Sequence, residues 1–278
     1  MTTIHVAHSP DSDDAFMFYA LAKGKIDTGD LRFEHVLSDI ESLNREAFSG
    51  TYEVTAVSIH ALVHLDERYA LLDSGASMGD GYGPVVVARE PIPSEKVARL
   101  KVAIPGTLTS AALALKMWNP SLETTVVPFD AVGQAVLDGK VDAGVVIHEG
   151  QLTWQEEGLV KLVDLGEWWA ESTGGLPLPL GGNVIRRDLG DEMMDRVADL
   201  LKASIEYSLS HREEALDYAL KYGRGISRDK ADRFVGMYVN DLTVSYGERG
   251  RRAVRDFLDR AKSLGLIARV PRLDFVGA

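Results

Sequence analysis

The chain reads Val-Asp-Ala-Gly-Val-Val-Ile-His-Glu-Gly from Val141 to Gly150. Gly144 to Ile147 carries β-branched residues at three of its four positions, which predicts a short buried strand. His148 and Glu149 follow directly at the carboxyl end of that strand. In open α/β sheets this end faces the crevice where ligands bind, so His148 is a candidate general base. The alternative is a histidine whose hydrogen bonds are satisfied by neighbouring backbone.

A second segment repeats this pattern in the first half of the chain. Glu46 to His60 and Ala135 to His148 each contain a helix end, a glycine and an apolar strand that ends in Ile-His. One copy in each half is what two similar α/β lobes facing each other would show. The repeat therefore predicts a two-lobe protein of the α/β class.

Proline- and glycine-rich segments divide the chain between these lobes. Residues 89–93 and 174–182 are expected to be the two crossovers, and the last third of the chain has apolar residues at helical spacing. We predict a large α/β lobe with C-terminal helices from residues 1–88 and 184–278, and a small α/β lobe from residues 89–183. This is a periplasmic-binding-protein-like fold of type II with a ligand cleft between the lobes. The fold alone does not decide between solute binding and catalysis.

The composition of the chain limits the kinds of partner that it can bind. The 278 residues are 45% hydrophobic and 26% charged, they include no cysteine, and the formal net charge is −12. The missing cysteines exclude disulfides, thiolate metal ligands and a cysteine nucleophile. The negative charge argues against nucleic acid and anionic membranes, which attract basic clusters. A small anionic substrate is still compatible, because a few local donors are enough to bind it.

The amino terminus indicates the compartment. The first residues, Met-Thr-Thr-Ile-His-Val-Ala-His, lack the basic and long apolar regions of a signal peptide. No apolar run reaches the ~18 residues that a membrane-spanning helix needs. We therefore predict a cytoplasmic protein without a membrane partner.

Two polar clusters are candidate parts of the cleft. Asp11-Ser12-Asp13-Asp14 precedes a helix, and one or two of these residues suffice for capping it. The excess of carboxylates indicates a loop that borders a site, with metal binding as the weaker interpretation. Thr109 and Ser110 follow a strand and a glycine and begin another helix, an arrangement that suits a carboxylate or phosphate. The alternative for both clusters is helix capping alone.

Four ordered motifs carry a family resemblance that spans the chain. They are His-Ser-Pro-Asp-Ser-Asp-Asp-Ala-Phe-Met-Phe-Tyr-Ala-Leu at His8–Leu21, Ile-His-Glu-Gly at Ile147–Gly150, Leu-Pro-Leu-Pro-Leu-Gly at Leu176–Gly181 and Tyr-Val-Asn at Tyr238–Asn240. Together they resemble the 1,4-dihydroxy-6-naphthoate synthases, which act in the futalosine route to menaquinone. The resemblance implies a carbon–carbon lyase without metal or organic cofactor. The implied reaction converts cyclic dehypoxanthinylfutalosine to 1,4-dihydroxy-6-naphthoate and a dehypoxanthinylated sugar product.

The resemblance also implies site residues. The proton-abstracting histidine falls on His148, and the substrate-contacting stretches fall on Thr55-Ala56-Val57, near Ser58, and on Thr109-Ser110. The expected substrate is a small carboxylated molecule whose acidic C–H lies beside a ketone. Its deprotonation starts loss of the sugar-derived part and aromatisation of the bicyclic ring, for which one positioned base is enough.

The amino-terminal motif departs from the family pattern. Ser-Pro-Asp-Ser-Asp-Asp replaces Ser-Pro-Cys-Pro-Asn-Asp, so the roles of Asp11 and Asp13 stay open. Ser9, Asp13 and Asp14 are included as candidate substrate contacts. His60 matches no family histidine and is interpreted as structural. Two alternatives remain: a chorismate dehydratase of the same pathway, and a non-catalytic solute-binding protein. The sequence does not predict the oligomeric state.

Overall fold

The computed structural model describes residues 1–97, 99–223 and 225–278. Its strands, in chain order, are β1 Thr2–His8, β2 Leu31–Leu37, β3 Val54–Ser58, β4 Tyr69–Leu72, β5 Ser77–Gly79, β6 Val85–Ala88, β7 Lys101–Ile104, β8 Glu123–Val126, β9 Ala143–Val146, β10 Val160–Asp164, β11 Leu178–Arg186 and β12 Phe275–Val276.

The helices are, in the same order, α1 Ser12–Met17, α2 Tyr19–Ala22, α3 Ile40–Ala47, α4 Ser94–Val97, α5 Ser110–Trp118, α6 Val132–Leu137, α7 Gly150–Thr153, α8 Leu165–Thr173, α9 Asp191–Ser210, α10 Arg212–Ala219, α11 Arg228–Tyr238, α12 Asp241–Val244 and α13 Gly247–Ser263. Short 3-10 helices lie at Ile59–His64, Phe129–Ala131 and Arg187–Leu189.

The first sheet has the strand order β12-β4-β11-β3-β1-β2, with β5 added beside β11. β1 pairs in parallel with β2 and β3, whereas β11 is antiparallel to β3 and β4. All five residues of β3 are buried, as expected of a strand covered on both faces. Because β1 and β3 are parallel neighbours, the residues after His8 and Ser58 emerge at the same edge of the sheet.

The second sheet has the order β10-β6-β9-β7-β8. β7 is parallel to β8 and β9, and β6 is antiparallel to β9 and β10. Helix α6 packs so closely on β9 that a Cβ at Gly144 would collide with Val132 and Val136 of this helix. This close contact explains a glycine in an otherwise β-branched strand. It also fixes the direction in which the chain leaves β9 toward His148.

Both lobe boundaries differ from the prediction. We assigned residues 85–88 to the large lobe, but β6 pairs with β9 and β10, so the chain enters the second lobe within residues 79–84. The chain also returns to the first lobe earlier than predicted, because β11 belongs to the first sheet and begins at Leu178. A short apolar strand is equally well buried in either sheet, so its composition does not select its partner. Pro179 lies at an irregularity of the β5–β11 pairing, where a strand tolerates proline.

The predicted helical C-terminal region is confirmed. Helices α9, α10 and α11 pack on α1 and α2 around a core that includes Phe16, Leu201, Leu216 and Val235. Helix α13 packs instead on β11, and its Phe257 ring lies 5.5 Å from the Trp169 ring of α8. Within the described ranges, every helix is too short or too polar to cross a membrane.

Candidate active site

A cavity of about 110 Å³ lies between the lobes, and interfaces of this kind are a common place for ligand sites. The first lobe contributes the loop after β1, the end of β3, the middle of β11, and α11. The second lobe contributes the start of α5 and the turn after β9. Among the described residues, no arginine or lysine lines this cavity.

The turn after β9 gives His148 an unusual backbone. Its φ of 52° lies in the left-handed region, and it is the one residue other than glycine with positive φ in the described part of the chain. This conformation costs about 1–3 kcal/mol in a residue with a side chain, and such strain concentrates at functional sites. It ends the strand abruptly, so that the chain begins α7 at Gly150 and the His148 ring lines the cavity.

The His148 ring is held by a carboxylate from the other lobe. Its Nδ1 lies 2.9 Å from Oδ2 of Asp11, whose side chain is 1% exposed. Asp11 occupies the N-cap position of α1 but makes no capping hydrogen bond with its side chain, and the Ser9 hydroxyl donates to the same Oδ2 at 2.5 Å. With a proton on Nδ1 toward Asp11, Nε2 is the ring nitrogen that can accept a proton in the cavity.

The carboxylates around His148 set its charge. Burial disfavours the imidazolium, but the charge and hydrogen bond of Asp11, with the charges of Glu149 and Asp13, outweigh burial and raise the pKa of His148 to about 9. Burial, followed by the charge of Asp11, raises the pKa of Asp13 to about 7. Burial and the charges of Asp13 and Asp11 also raise the pKa of Asp14 well above its ordinary range. The cluster therefore retains protons near neutral pH.

Three further hydrogen bonds join the lobes beside this pair. Glu149 Oε1 accepts from the hydroxyl of Ser12 at 2.9 Å and from its backbone N–H at 3.3 Å. The Tyr238 hydroxyl of α11 donates to Gln151 Oε1 at 2.7 Å. The structure is thus a closed form in which the residues on either side of the cavity are in direct contact.

The start of α5 forms another part of the wall. Thr109 is the N-cap of α5: its Oγ1 accepts from the Ala112 N–H at 3.2 Å and donates to the Gly106 carbonyl at 2.9 Å. The Ser110 hydroxyl donates to the Leu180 carbonyl at 2.6 Å and accepts from the His60 N–H at 3.2 Å. The capping role of Thr109 therefore coexists with a place at the cavity wall, where the first turn of α5 presents its positive dipole end.

Most of the predicted site residues meet at this cavity. From the first lobe they are Ser9, Asp13, Asp14, Ala56, Val57 and Ser58, and from the second lobe they are Thr109, Ser110 and His148. Their individual roles stay predictions.

Thr55 departs from the prediction, because it does not line the cavity. Its side chain is fully buried, and its hydroxyl is 3.2 Å from the Ala56 carbonyl.

The three aspartates of the Asp11-Ser12-Asp13-Asp14 segment have different contacts. Asp11 pairs with His148, Asp14 accepts from the Ser9 N–H at 2.8 Å, and Asp13 lines the cavity. None of the three accepts the ordinary side-chain capping bond of α1. Across the described residues, no group of three histidine, cysteine, aspartate or glutamate side chains is arranged to hold a metal ion.

Sequence reasoning missed several cavity residues. Phe234 and Tyr238 are buried, and they also line the cavity. Gln151 and Asn183 were not singled out. The Tyr-Val-Asn motif was a signal for Tyr238, whereas Asn183 had none, because one amide in an apolar strand carries no periodic pattern.

These features define a two-lobe α/β protein of the periplasmic-binding type whose cleft encloses a histidine oriented by a carboxylate. The family model described as menaquinone biosynthesis matches residues 4–263. The chain belongs to this menaquinone biosynthesis family.

Individual relatives agree with this assignment. The chain is 39% identical to a 1,4-dihydroxy-6-naphthoate synthase of Thermus thermophilus, over 99% of this chain and all of the relative. A crystal structure of an Archaeoglobus fulgidus protein is 49% identical with a TM-score of 0.91, covering 95% of this chain and 98% of that one. A Candida albicans protein described as having the generic periplasmic binding protein fold has a TM-score of 0.70 at 14% identity, over 97% and 92% of the two chains. The predicted fold class, the prediction of an enzyme and the likeness to the naphthoate synthases are confirmed.

Proposed function

We propose that this chain cleaves cyclic dehypoxanthinylfutalosine to 1,4-dihydroxy-6-naphthoate and a dehypoxanthinylated sugar product, with His148 as the base. The observation that carries the proposal is the 2.9 Å contact between His148 Nδ1 and the buried Asp11 carboxylate. This contact selects the tautomer whose Nε2 can accept a proton and stabilises the imidazolium that forms. The pairing is the arrangement that positioned general bases require.

The reaction follows from proton removal at the carbon beside the ketone. The proton passes to Nε2 of His148, and the electron pair of the C–H bond forms an enolate. The enolate electrons then expel the sugar-derived part: the bond that joins it to the bicycle breaks, and the sugar-derived part leaves with that electron pair and takes up a proton. The bicycle becomes aromatic, which supplies the driving force. Closure of the two lobes around the cavity excludes water and strengthens the electrostatic interactions that stabilise the enolate.

The raised pKa of His148 has two opposing effects on the rate of proton abstraction. With a pKa of about 9, roughly one molecule in a hundred carries the neutral imidazole at pH 7. Each neutral molecule is, however, a stronger base toward carbon than an ordinary histidine. The rate of the free enzyme should therefore rise with pH up to the pKa of His148.

A carboxylated substrate must be bound here without an arginine or lysine, since neither is among the described residues that line the cavity. The amide N–H groups and positive dipole end at the start of α5, beside Thr109 and Ser110, suit its carboxylate. Repulsion from Asp13 is reduced, because its raised pKa leaves this carboxyl partly protonated near neutral pH. We therefore assign the substrate carboxylate to the α5 side of the cavity, away from the pair formed by Asp11 and His148.

The direct test incubates the purified protein with cyclic dehypoxanthinylfutalosine and, separately, with chorismate. Formation of 1,4-dihydroxy-6-naphthoate, identified by mass spectrometry, is the expected result. Dehydration of chorismate with no naphthoate formed would instead assign the chain to the dehydratases. Saturable binding of either compound without any product would favour a solute-binding protein. A cytoplasmic location stays a prediction.

A further inference from the structure

Asn183 has an unusual environment in the middle of β11. Its side chain is 2% exposed, and the residue lines the cavity. The amide nitrogen Nδ2 donates to the Gly75 carbonyl at 3.3 Å. The amide oxygen Oδ1 is buried and has no hydrogen-bond partner among the described residues. Buried amide oxygens are nearly always paired, so this atom is a candidate ligand contact.

The orientation of the amide is fixed by its neighbour. Gly75 has a φ of 83°, and its own N–H donates to the Thr243 carbonyl at 2.7 Å. Any Cβ at this position would collide with the Asn183 amide nitrogen, so the glycine allows the close approach. The opposite orientation of the amide would place Oδ1 against the Gly75 carbonyl oxygen, which is unfavourable. Oδ1 is therefore the atom that still needs a donor.

The strand register places Asn183 on the floor of the cavity. It lies opposite Ala56 in the antiparallel pairing of β11 and β3, and Gly181 lies opposite Ser58 two residues along. Residues opposite each other in such a pair extend to the same face of the sheet. The small side chains of Ala56 and Gly181 leave space beside the Asn183 amide for a ligand.

We propose that Asn183 Oδ1 accepts a hydrogen bond from a hydroxyl group on the sugar-derived part of the substrate. An amide oxygen can only accept, and the ketone and carboxylate of the proposed substrate have no proton to give. The hydroxyls of the sugar-derived part are the remaining donors. Asn183 thus binds the part of the substrate that leaves, and it contributes to specificity by leaving a buried acceptor unpaired when that hydroxyl is missing.

This assignment rests on the proposed function, so the test pairs a protein change with a substrate change. Wild type and Asn183→Leu are assayed with cyclic dehypoxanthinylfutalosine and with analogues that each lack one hydroxyl of the sugar-derived part. For one analogue, we expect wild type to lose about 10–100-fold in kcat/KM. Asn183→Leu should lose a similar factor on the full substrate and show no further loss on that analogue.

A matched control separates binding from structural support. Asn44 is also a buried amide, but its Nδ2 donates to the Ser58 hydroxyl and its Oδ1 accepts from the Ser58 N–H. Any loss in Asn44→Leu should be the same for every analogue, with no coupling to a hydroxyl. If the losses in Asn183→Leu and in all the analogues simply multiply, Asn183 is a structural residue and the inference is wrong. If wild type forms no naphthoate from the full substrate, the proposed function itself fails.

Discussion

Two strands of this molecule are followed by the same dipeptide, Ile-His, yet the two histidines have opposite environments. His60 follows β3 within a 3-10 helix, and its Nδ1 lies 3.3 Å from the Thr109 carbonyl. His148 follows β9 with a left-handed backbone, and its Nδ1 contacts the Asp11 carboxylate. Burial lowers the pKa of His60, whereas the neighbouring carboxylates raise the pKa of His148 despite burial.

The comparison shows that a strand end alone does not make a catalytic histidine. Both residues follow the carboxyl end of a central strand, and both are partly buried. The difference is the partner: a neutral carbonyl for His60, and for His148 a carboxylate that the opposite lobe supplies. A carboxylate can orient the ring and also stabilise its protonated form, while a carbonyl mainly orients it.

The largest effect is expected when the His148 ring is removed. Asparagine tolerates the left-handed backbone better than most residues, so His148→Asn should preserve the fold. We expect kcat to fall by about 10²–10⁴-fold, the usual contribution of a positioned base, with little change in substrate Kd. Steady-state kinetics and calorimetric substrate binding check this. Near wild-type turnover in a variant that still binds substrate would remove His148 from the mechanism.

A smaller effect is expected when only the charge of the partner is removed. In Asp11→Asn the amide oxygen can still accept from His148 Nδ1, but the negative charge that raises the pKa of His148 is gone. Burial then dominates, so the rising limb of the kcat/KM–pH profile should move to lower pH. We expect kcat/KM to fall by about 10–100-fold at the pH optimum, because the imidazolium formed during the reaction is less stabilised.

Asp14→Asn is the matched control for this charge change. The raised pKa of Asp14 means that its carboxyl retains its proton more than an ordinary aspartate, so its replacement changes the local charge less. The inflection of the pH profile should therefore move less than in Asp11→Asn. An equal displacement in both variants would show that the total charge of the cluster, rather than the Asp11 pair, determines the titration of His148.

The smallest effect is expected when His60, which follows β3, is replaced. His60→Asn retains a side-chain donor for the Thr109 carbonyl, so kcat should stay within about 3-fold of wild type and the pH profile should keep its inflection. The melting temperature is expected to fall by a few degrees, since a half-buried ring is lost. A loss as large as that of His148→Asn would mean that the two histidines act together, and that their different partners do not separate their roles.

Local patterns predicted much of the fold. The apolar run from Gly144 to Ile147 predicted β9 to within one residue, and the helical spacing in the last third of the chain agrees with α9, α10, α11 and α13. The repeat of a helix end, a glycine and an apolar strand predicted two α/β lobes, in agreement with the two sheets. The lobe boundary was misplaced because residues 85–88 have the same composition as a strand of either sheet, and only long-range pairing distinguishes the two.

The sequence predicted several of the residues that line the site, but not which carboxylate contacts His148. His148, Thr109 and Ser110 follow strands or begin helices, so sequence position placed them at a sheet edge. That Asp11, rather than Asp13 or Asp14, contacts His148 depends on the closure of two lobes that are distant in sequence. The free acceptor of Asn183 depends similarly on the conformation of Gly75, which a sequence pattern does not record.

The pairing across the lobes has a consequence for how protons move during the catalytic cycle. Asp11 and His148 belong to different lobes, so their contact exists only while the lobes are closed. On opening, His148 loses the charge that raises its pKa, and its affinity for a proton falls. Closing is therefore linked to proton uptake and opening to proton release, so substrate affinity carries a pH dependence of its own. The same linkage lets the base return its proton to solvent as the lobes separate, which resets the enzyme for its next turnover.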